Sequence, residues 1–257
     1  SLAQFRSLLI WRPARRNQPD TPGVGATGPR HRNTARDHRN RVLEYLPDRL
    51  ASMRWRKRCR IPGLDALREA RRKGPVILVF SHFGPFYLTG FWLRAHGIPT
   101  TTLSARKSGD RSSAKLRKDR YLPFSHIPSI MSLDRLRDFV RLISAGTVVL
   151  VAIDIEEYGR LAEIPVDGRS LRIATGPIRL AAKYGAELFP CNIVDEGKWH
   201  FRIELGEPVP RVYLGCEPDL IAAGSHLITQ LLPCCREHPD QLEAYSPLAA
   251  LPGCTAQ

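Results

Sequence analysis

Apolar residues along the chain gather in short unbroken runs, separated by stretches with helical spacing. Val76-Ile77-Leu78-Val79-Phe80 and Thr147 to Ile153 are apolar runs of strand length; the first predicts a strand buried on both faces, and a second strand is expected over Val148 to Asp154. Thr100 to Ser104 and Glu187 to Val194 predict two more strands, and Phe201 to Leu205 alternates as a half-buried strand does. Helical stretches lie between these runs. Pro85 suits the first position of a helix running to about His96 with Gly97 as its stop, and Gly146 and Gly185 sit where C-terminal caps are expected.

Strands alternating with helices predict an α/β fold: a single domain with a mixed, largely parallel sheet flanked by helices, and active residues where the strands end. His82 and Asp154 both fall at such ends, and the two are expected at neighbouring strands facing one cleft. The domain is expected over residues 34–245, between a basic segment, 1–33, and a tail, 246–257. Residues 34–73 have helical spacing, with Val42, Leu43, Leu46 and Leu50 on one side and Leu64 and Leu67 continuing after Pro62-Gly63. Residues 12–33 are rich in Pro, Gly, Asn and Arg and lack apolar periodicity, which predicts a flexible linker. Gly23, Gly25 and Gly28 spell G-x-G-x-x-G there. No strand precedes them and Pro29-Arg30 follows, so a dinucleotide site is not expected.

Charge changes the picture at two places. Residues 1–60 hold 15 lysines and arginines against 4 acids, and residues 102–120 hold 7 against 2, whereas the whole chain of 257 residues carries a formal charge of +14. The remainder is therefore slightly acidic, and the basic segments favour polyanions: phospholipid headgroups, an acidic carrier protein or nucleic acid. Charge alone does not choose among these, and a solvated basic tail needs no partner. Trp11, Tyr45 and Trp55 lie among arginines, but no recognised nucleic-acid motif accompanies them, so no specific nucleic acid is expected.

No stretch approaches the roughly 20 apolar residues that span a bilayer. Leu2, Phe5, Leu8, Leu9 and Trp11, interrupted by Gln4 and Arg6, have the character of a short interfacial anchor rather than a signal peptide. The expected location is cytoplasmic, free or peripheral on the cytoplasmic face of the inner membrane. The six cysteines, Cys59, Cys191, Cys216, Cys234, Cys235 and Cys254, form no C-x-x-C pair, which reads as a reduced protein. Cys234, Cys235 and His238 supply three metal ligands within about one turn but no fourth, so buried thiols on a C-terminal helix are expected and no metal.

A histidine just past a buried strand, followed by a Gly-Pro turn, is placed at a crevice mouth. Such a ring, titrating near neutrality, can take a proton from a hydroxyl. Taken alone, a loop histidine is more often structural. No G-x-S-x-G elbow occurs, which disfavours a serine hydrolase.

Beyond these patterns, Val76 to Gly84, with Ser81-His82-Phe83-Gly84 at its end, resembles the histidine block of the lipid A late acyltransferases, the lauroyl and myristoyl transferases of the lysophospholipid acyltransferase-like superfamily. Leu133 to Gly146, followed by Thr147 to Gly159 with Asp154 and Glu156 two apart, is similar to that family's second block. Ile164-Pro165-Val166-Asp167-Gly168 resembles its short Pro-aromatic-Gly block. Ala174 to Ala181, Gly185 to Pro190 and His238-Pro239-Asp240-Gln241 follow in the same order, so the resemblance covers about residues 35–245.

The resemblance implies a glycerolphosphate acyltransferase-like fold and transfer of a fatty acyl group from acyl carrier protein or coenzyme A. The acceptor would be a hydroxyl or amine of a lipid, glycolipid or specialised metabolite. It implies His82 as general base and no cofactor. It further implies Tyr87, Asp154 and Glu156 in catalytic positions and Ser81, Gly84, Arg106, Lys107, Glu157 and Gly168 along the substrate path. Arg106 and Lys107 fall where the family carries a basic residue, suited to a phosphate or phosphopantetheine arm; Arg111, Lys115 and Lys118 recur at helical spacing beside them.

One departure stands out. The family's histidine is followed at the fifth position by a carboxylate, H-x-x-x-x-(D/E), and here that position is Tyr87. The carboxylate orients the imidazole and stabilises the imidazolium, and a tyrosine offers only a neutral oxygen. Asp154, Glu156 or Glu157 can reach the ring from the neighbouring strand end; His82 can work with Tyr87 alone; or catalysis is lost. An active enzyme and a non-catalytic homologue that binds a lipid or carrier protein therefore both stand at this point.

Overall fold

The computed structural model describes residues 56–104, 131–132, 141–154, 160–198, 200–215 and 217–254, and of Tyr87, Ser104, Met131 and Ser132 the backbone alone. The segment 1–33, the helical reading of 34–55, Arg106, Lys107, Arg111, Lys115, Lys118, Cys216, Glu156, Glu157 and the Tyr158-Gly159 pair lie outside the described residues.

Nine strands are described: β1 (Cys59–Arg60), β2 (Val76–Phe80), β3 (Thr100–Ser104), β4 (Met131–Ser132), β5 (Val148–Ala152), β6 (Leu161–Val166), β7 (Arg169–Ala174), β8 (Glu187–Gly197) and β9 (His200–Leu205). The principal helices are α1 (Leu64–Lys73), α2 (Thr89–Ala95), α3 (Gly176–Tyr184) and α4 (Leu220–Glu237). Among the described residues the main sheet runs β1-β9-β8-β2-β5-β3-β4, parallel except for the β8–β9 pair, and β6–β7 form a separate antiparallel hairpin. The fold is α/β with a mixed, mostly parallel sheet, as the alternation of patterns implies.

The central position of β2 follows from its composition. Parallel neighbours on both edges, β5 and β8, and helices on both faces leave no polar side, so every residue from Val76 to Phe80 is buried. Ile77 and Val79 join a core with α3, α4 and the hairpin; Val76, Leu78 and Phe80 join a second core with α1 and α2. β5 alternates in the same way, Val149 and Val151 against Val148 and Leu150. Each fully buried aliphatic side chain contributes roughly 1.5–3 kcal/mol, so the strands that carry the site's histidine and aspartate are among the best anchored.

The helices carry the expected end signals. In α1, Asp65 occupies the first turn and Arg71, Arg72 and Lys73 the last, matching the helix dipole. Gly185 closes α3 in the left-handed conformation. The Asp219 carboxylate caps α4 by accepting from the backbone of Ile221 and Ala222 at 3.1 and 2.9 Å.

Two local readings differ from the structure. Pro85 precedes a 3₁₀ turn, Phe86–Leu88, and the α-helix starts only at Thr89. Gly84, at φ +57°, donates its N–H to the Gln241 carbonyl at 2.8 Å, which holds the chain in a turn before it can enter a helix. β5 ends two residues before Asp154, because the Ile153 N–H still bonds the Phe80 carbonyl at 3.0 Å while the Ile153 carbonyl accepts from Ala174 of the hairpin at 2.8 Å. The hairpin itself was not among the strands expected. Its signal was Asp167-Gly168, whose φ values of +50° and +74° build the tight turn that favours this pair.

Candidate active site

β2 and β5 pair in parallel, Phe80 opposite Ala152, so the residues that follow each strand leave the sheet at one edge. His82 lies two residues past the first strand and Asp154 two past the second. Ser81, between Phe80 and His82, is fully buried and turns inward: its Oγ donates to Asn192 Oδ1 at 2.9 Å, and Asn192 Nδ2 donates to the Leu231 carbonyl of α4 at 3.1 Å. That polar tie between β2, β8 and α4 fixes the chain one residue before the histidine.

The His82 ring meets Asp154 directly, Nδ1 to Oδ1 at 2.7 Å, and the His82 backbone N–H donates to Oδ2 at 2.8 Å. Asp154 is therefore bound to the same residue through side chain and main chain, which defines ring position and rotation together. With the carboxylate as acceptor, Nδ1 bears the proton and Nε2 presents its lone pair. The Asp154 side chain is 1% exposed and the His82 side chain 12%, so the acid is sealed beneath a ring that still reaches the surface. Ser246 Oγ donates a further hydrogen bond to Asp154 Oδ2 at 2.5 Å.

Aromatic rings flank the imidazole. Phe86 meets it edge-on at 4.7 Å between centroids, Tyr245 at 5.1 Å and Phe80 at 6.2 Å, and Phe86 stacks on Phe80 at 5.6 Å. Tyr245 is 64% exposed and marks the open side of the site.

The C-terminal segment is laced to this edge by main-chain contacts. Phe83 bridges to Leu242, Gly84 N–H donates to the Gln241 carbonyl and Glu243 N–H donates to the His82 carbonyl at 2.9 Å. The Gln241 side chain clamps β8 from both directions, accepting from the Asp195 N–H at 2.9 Å and donating to the Asp195 carbonyl at 3.0 Å. Gly84 is the tight point: a Cβ there would overlap the Ile193 carbonyl oxygen. Beyond Ser246 the chain continues into a 3₁₀ turn, Pro247–Ala250, and packs Leu248, Leu251 and Cys254 into the core.

The structure thus brings His82 and Asp154 together, and Gly84, two residues past the histidine, meets Gln241 and Ile193 instead. Ser81 faces the core, and Gly168 sits in the β6–β7 turn, at the opposite end of the hairpin from Ala174. Tyr87 is the middle residue of the 3₁₀ turn after His82. The residues missed by sequence reasoning are Phe86, Tyr245 and Ser246; Gln241 was seen only as part of the His238–Gln241 block, with no role. Ser246 lies 92 positions from Asp154, and no periodicity or spacing carries information over that separation.

Cys234 and Cys235 are buried on α4, and burial pushes both thiols up to about 12. Among the described residues no group of three or more His, Cys, Asp or Glu side chains is arranged to hold a metal ion. No helix among them is long and apolar enough to cross a membrane.

The chain belongs to the bacterial lipid A biosynthesis acyltransferase family, whose model matches residues 46–210. Membership supports acyl transfer to a lipid. The match takes in β1 to β9, and with them His82 and Asp154, and ends before α4 and the C-terminal segment. No curated protein sequence matches the chain.

Proposed function

We propose that the protein transfers a fatty acyl group from a thioester, on acyl carrier protein or coenzyme A, to a hydroxyl or amine of a lipid A precursor or related glycolipid, with His82 as general base. The observation that carries this reading is the 2.7 Å contact between His82 Nδ1 and Asp154 Oδ1, which leaves Nε2 free of that bond and able to accept a proton. The acceptor proton passes to Nε2 as the acceptor oxygen or nitrogen bonds to the thioester carbonyl carbon. The tetrahedral intermediate then collapses with cleavage of the C–S bond, and the imidazolium returns its proton to the departing thiolate. An ester or amide and a free thiol result.

Asp154 takes the orienting role that the family gives to the fifth position after the histidine, where this chain has Tyr87. Arg106 and Lys107 are proposed to hold the phosphate of the donor arm, Glu156 and Glu157 to line the acceptor side, and the basic segment 1–33 to draw the protein to an anionic membrane face. Transfer from radiolabelled acyl carrier protein or acyl-CoA to a lipid A precursor tests the reading. His82→Ala should abolish it, and undiminished transfer by that variant would overturn the assignment.

A second reading, a non-catalytic homologue that binds lipid or carrier protein, is favoured by Tyr87. Saturable binding of acyl carrier protein, with no transfer to any lipid hydroxyl or amine, would support it.

A further inference from the structure

The Asp154 carboxylate accepts three hydrogen bonds, two from His82 and one from Ser246. The first two come from the strand end next to it. The third comes from a separate part of the chain: Ser246 follows the segment that Gln241 clamps to β8, and its hydroxyl reaches Oδ2, the oxygen that also takes the His82 backbone N–H. Ser246 is 3% exposed and Asp154 is equally buried. In such surroundings a donor aimed at a carboxylate is worth more than in water, and the loss of one is felt by the whole group.

We propose that Ser246 is a positioning residue for catalysis, holding Asp154 in place so that a Ser246–Asp154–His82 chain of hydrogen bonds sets the basicity and orientation of the imidazole. This rests on the reading of His82 as general base. It assigns a functional part to a segment beyond residues 46–210, the region matched to the family.

Two alternatives for the hydroxyl are weaker. Ser246 also starts a 3₁₀ turn, but the turn is held by its main chain: the Ala249 N–H donates to the Ser246 carbonyl and the Ser246 N–H donates to the Glu243 carbonyl, both at 2.9 Å. The side chain is not needed for either. Nor is it a nucleophile, because its proton is directed at a carboxylate and the His82 ring bonds that carboxylate rather than Ser246.

Among the described residues His82 from the β2 end and Cys235 from α4 face Asp154, and Tyr245 from the C-terminal segment faces the His82 ring. The Cys235 thiol, pushed up to about 12 by burial, stays neutral across the working range. Glu243, on the C-terminal segment, meets His82 through its main chain. Removing the Ser246 hydroxyl leaves more negative charge on Asp154. The imidazolium is then held more tightly and the carboxylate itself takes a proton more readily, so both effects move the acid limb of a pH–rate profile toward higher pH.

The test uses the full chain. Ser246→Ala should lower kcat by about 10- to 100-fold with KM little changed and shift the acid limb upward. Ser246→Thr, which keeps the hydroxyl, should restore most of the rate, and Ser246→Cys, a poorer donor of similar size, should fall between. Melting temperature is followed in parallel. A Ser246→Ala variant whose acid limb stays in place, with any loss of rate tracking loss of stability, overturns the proposal. NMR of ¹⁵N-histidine-labelled protein gives a readout without turnover: the His82 Nδ1 proton resonance and its titration should move in Ser246→Ala. An unmoved resonance refutes the proposal even if the protein proves not to catalyse transfer, whereas a moved resonance in a protein without transferase activity refutes the general-base reading alone.

Discussion

Asp154 binds His82 twice, through the ring Nδ1–H and through the backbone N–H, using one carboxylate oxygen for each. An acid supplied from the fifth position after the histidine would sit on the same short segment as the ring it orients. Asp154 comes instead from the end of a neighbouring parallel strand. Its position depends on the β2–β5 register, and that register is held by buried aliphatic residues on both faces.

Asp154→Asn should leave the fold intact and reduce transfer severely. In serine-protease triads the corresponding change lowers turnover by about 10⁴ by reversing the tautomer, and a fall of about 10²-fold or more is expected here on the same logic. Asn can donate to Nδ1 but cannot stabilise the imidazolium. Transfer within a few-fold of the unsubstituted protein, at equal melting temperature, would show that Asp154 is not the orienting group.

Tyr87→Glu follows from the same geometry. Nδ1 already bonds Asp154, so a carboxylate at position 87 should give no gain in transfer over the unsubstituted protein. A rise of several-fold, measured on purified protein with matched donor and acceptor concentrations, would return the orienting role to the fifth position.

Gly84→Ala should destabilise the protein by at least ~3 kcal/mol, because φ +57° is strained for alanine and the new methyl would collide with the Ile193 carbonyl oxygen. The Gly84–Gln241 bond and the Phe83–Leu242 bridge would open with it. Thermal unfolding measures the loss, and an unchanged Tm would contradict the close approach.

Gln241→Ala removes both side-chain bonds to the Asp195 backbone and should cost about 2–4 kcal/mol. Amide hydrogen exchange should accelerate at Gly84 and Glu243, whose N–H groups bond across the same junction, well before it does in β2 and β5. Uniform acceleration across the sheet would mean that the segment is not a separate unit.

Burial pushes Cys191, Cys234 and Cys235 up to about 12 and raises Cys59 and Cys254 as well. At pH 8 these thiols are then overwhelmingly protonated and unreactive. Peptide mapping after brief alkylation at pH 8 should find these five cysteines unmodified in the native protein and fully modified in denaturant. Rapid native labelling of Cys234 or Cys235 would contradict their packing on α4.

The central strand was legible in the sequence because a strand covered on both faces leaves an unbroken apolar run: Val76 to Phe80 matches the structure to the residue, as does the threonine-rich Thr100 to Ser104. His82 and Asp154 were legible as strand-end residues for the same reason, and Gly185 as a helix cap because the left-handed conformation there selects glycine. The hairpin was passed over because Pro165 and the charges of β7 obscure its alternation. What the sequence could not decide was which of three acids, or Tyr87, would meet the ring. That depended on strand order and register, which place Asp154 beside His82 across 72 residues of chain. Ser246 and Tyr245 were still less accessible, since their positions follow from how α4 and the Gln241 clamp return the chain to the sheet edge. Local pattern records what a residue is buried against; which distant residues share a hydrogen bond is decided only when the packed core closes.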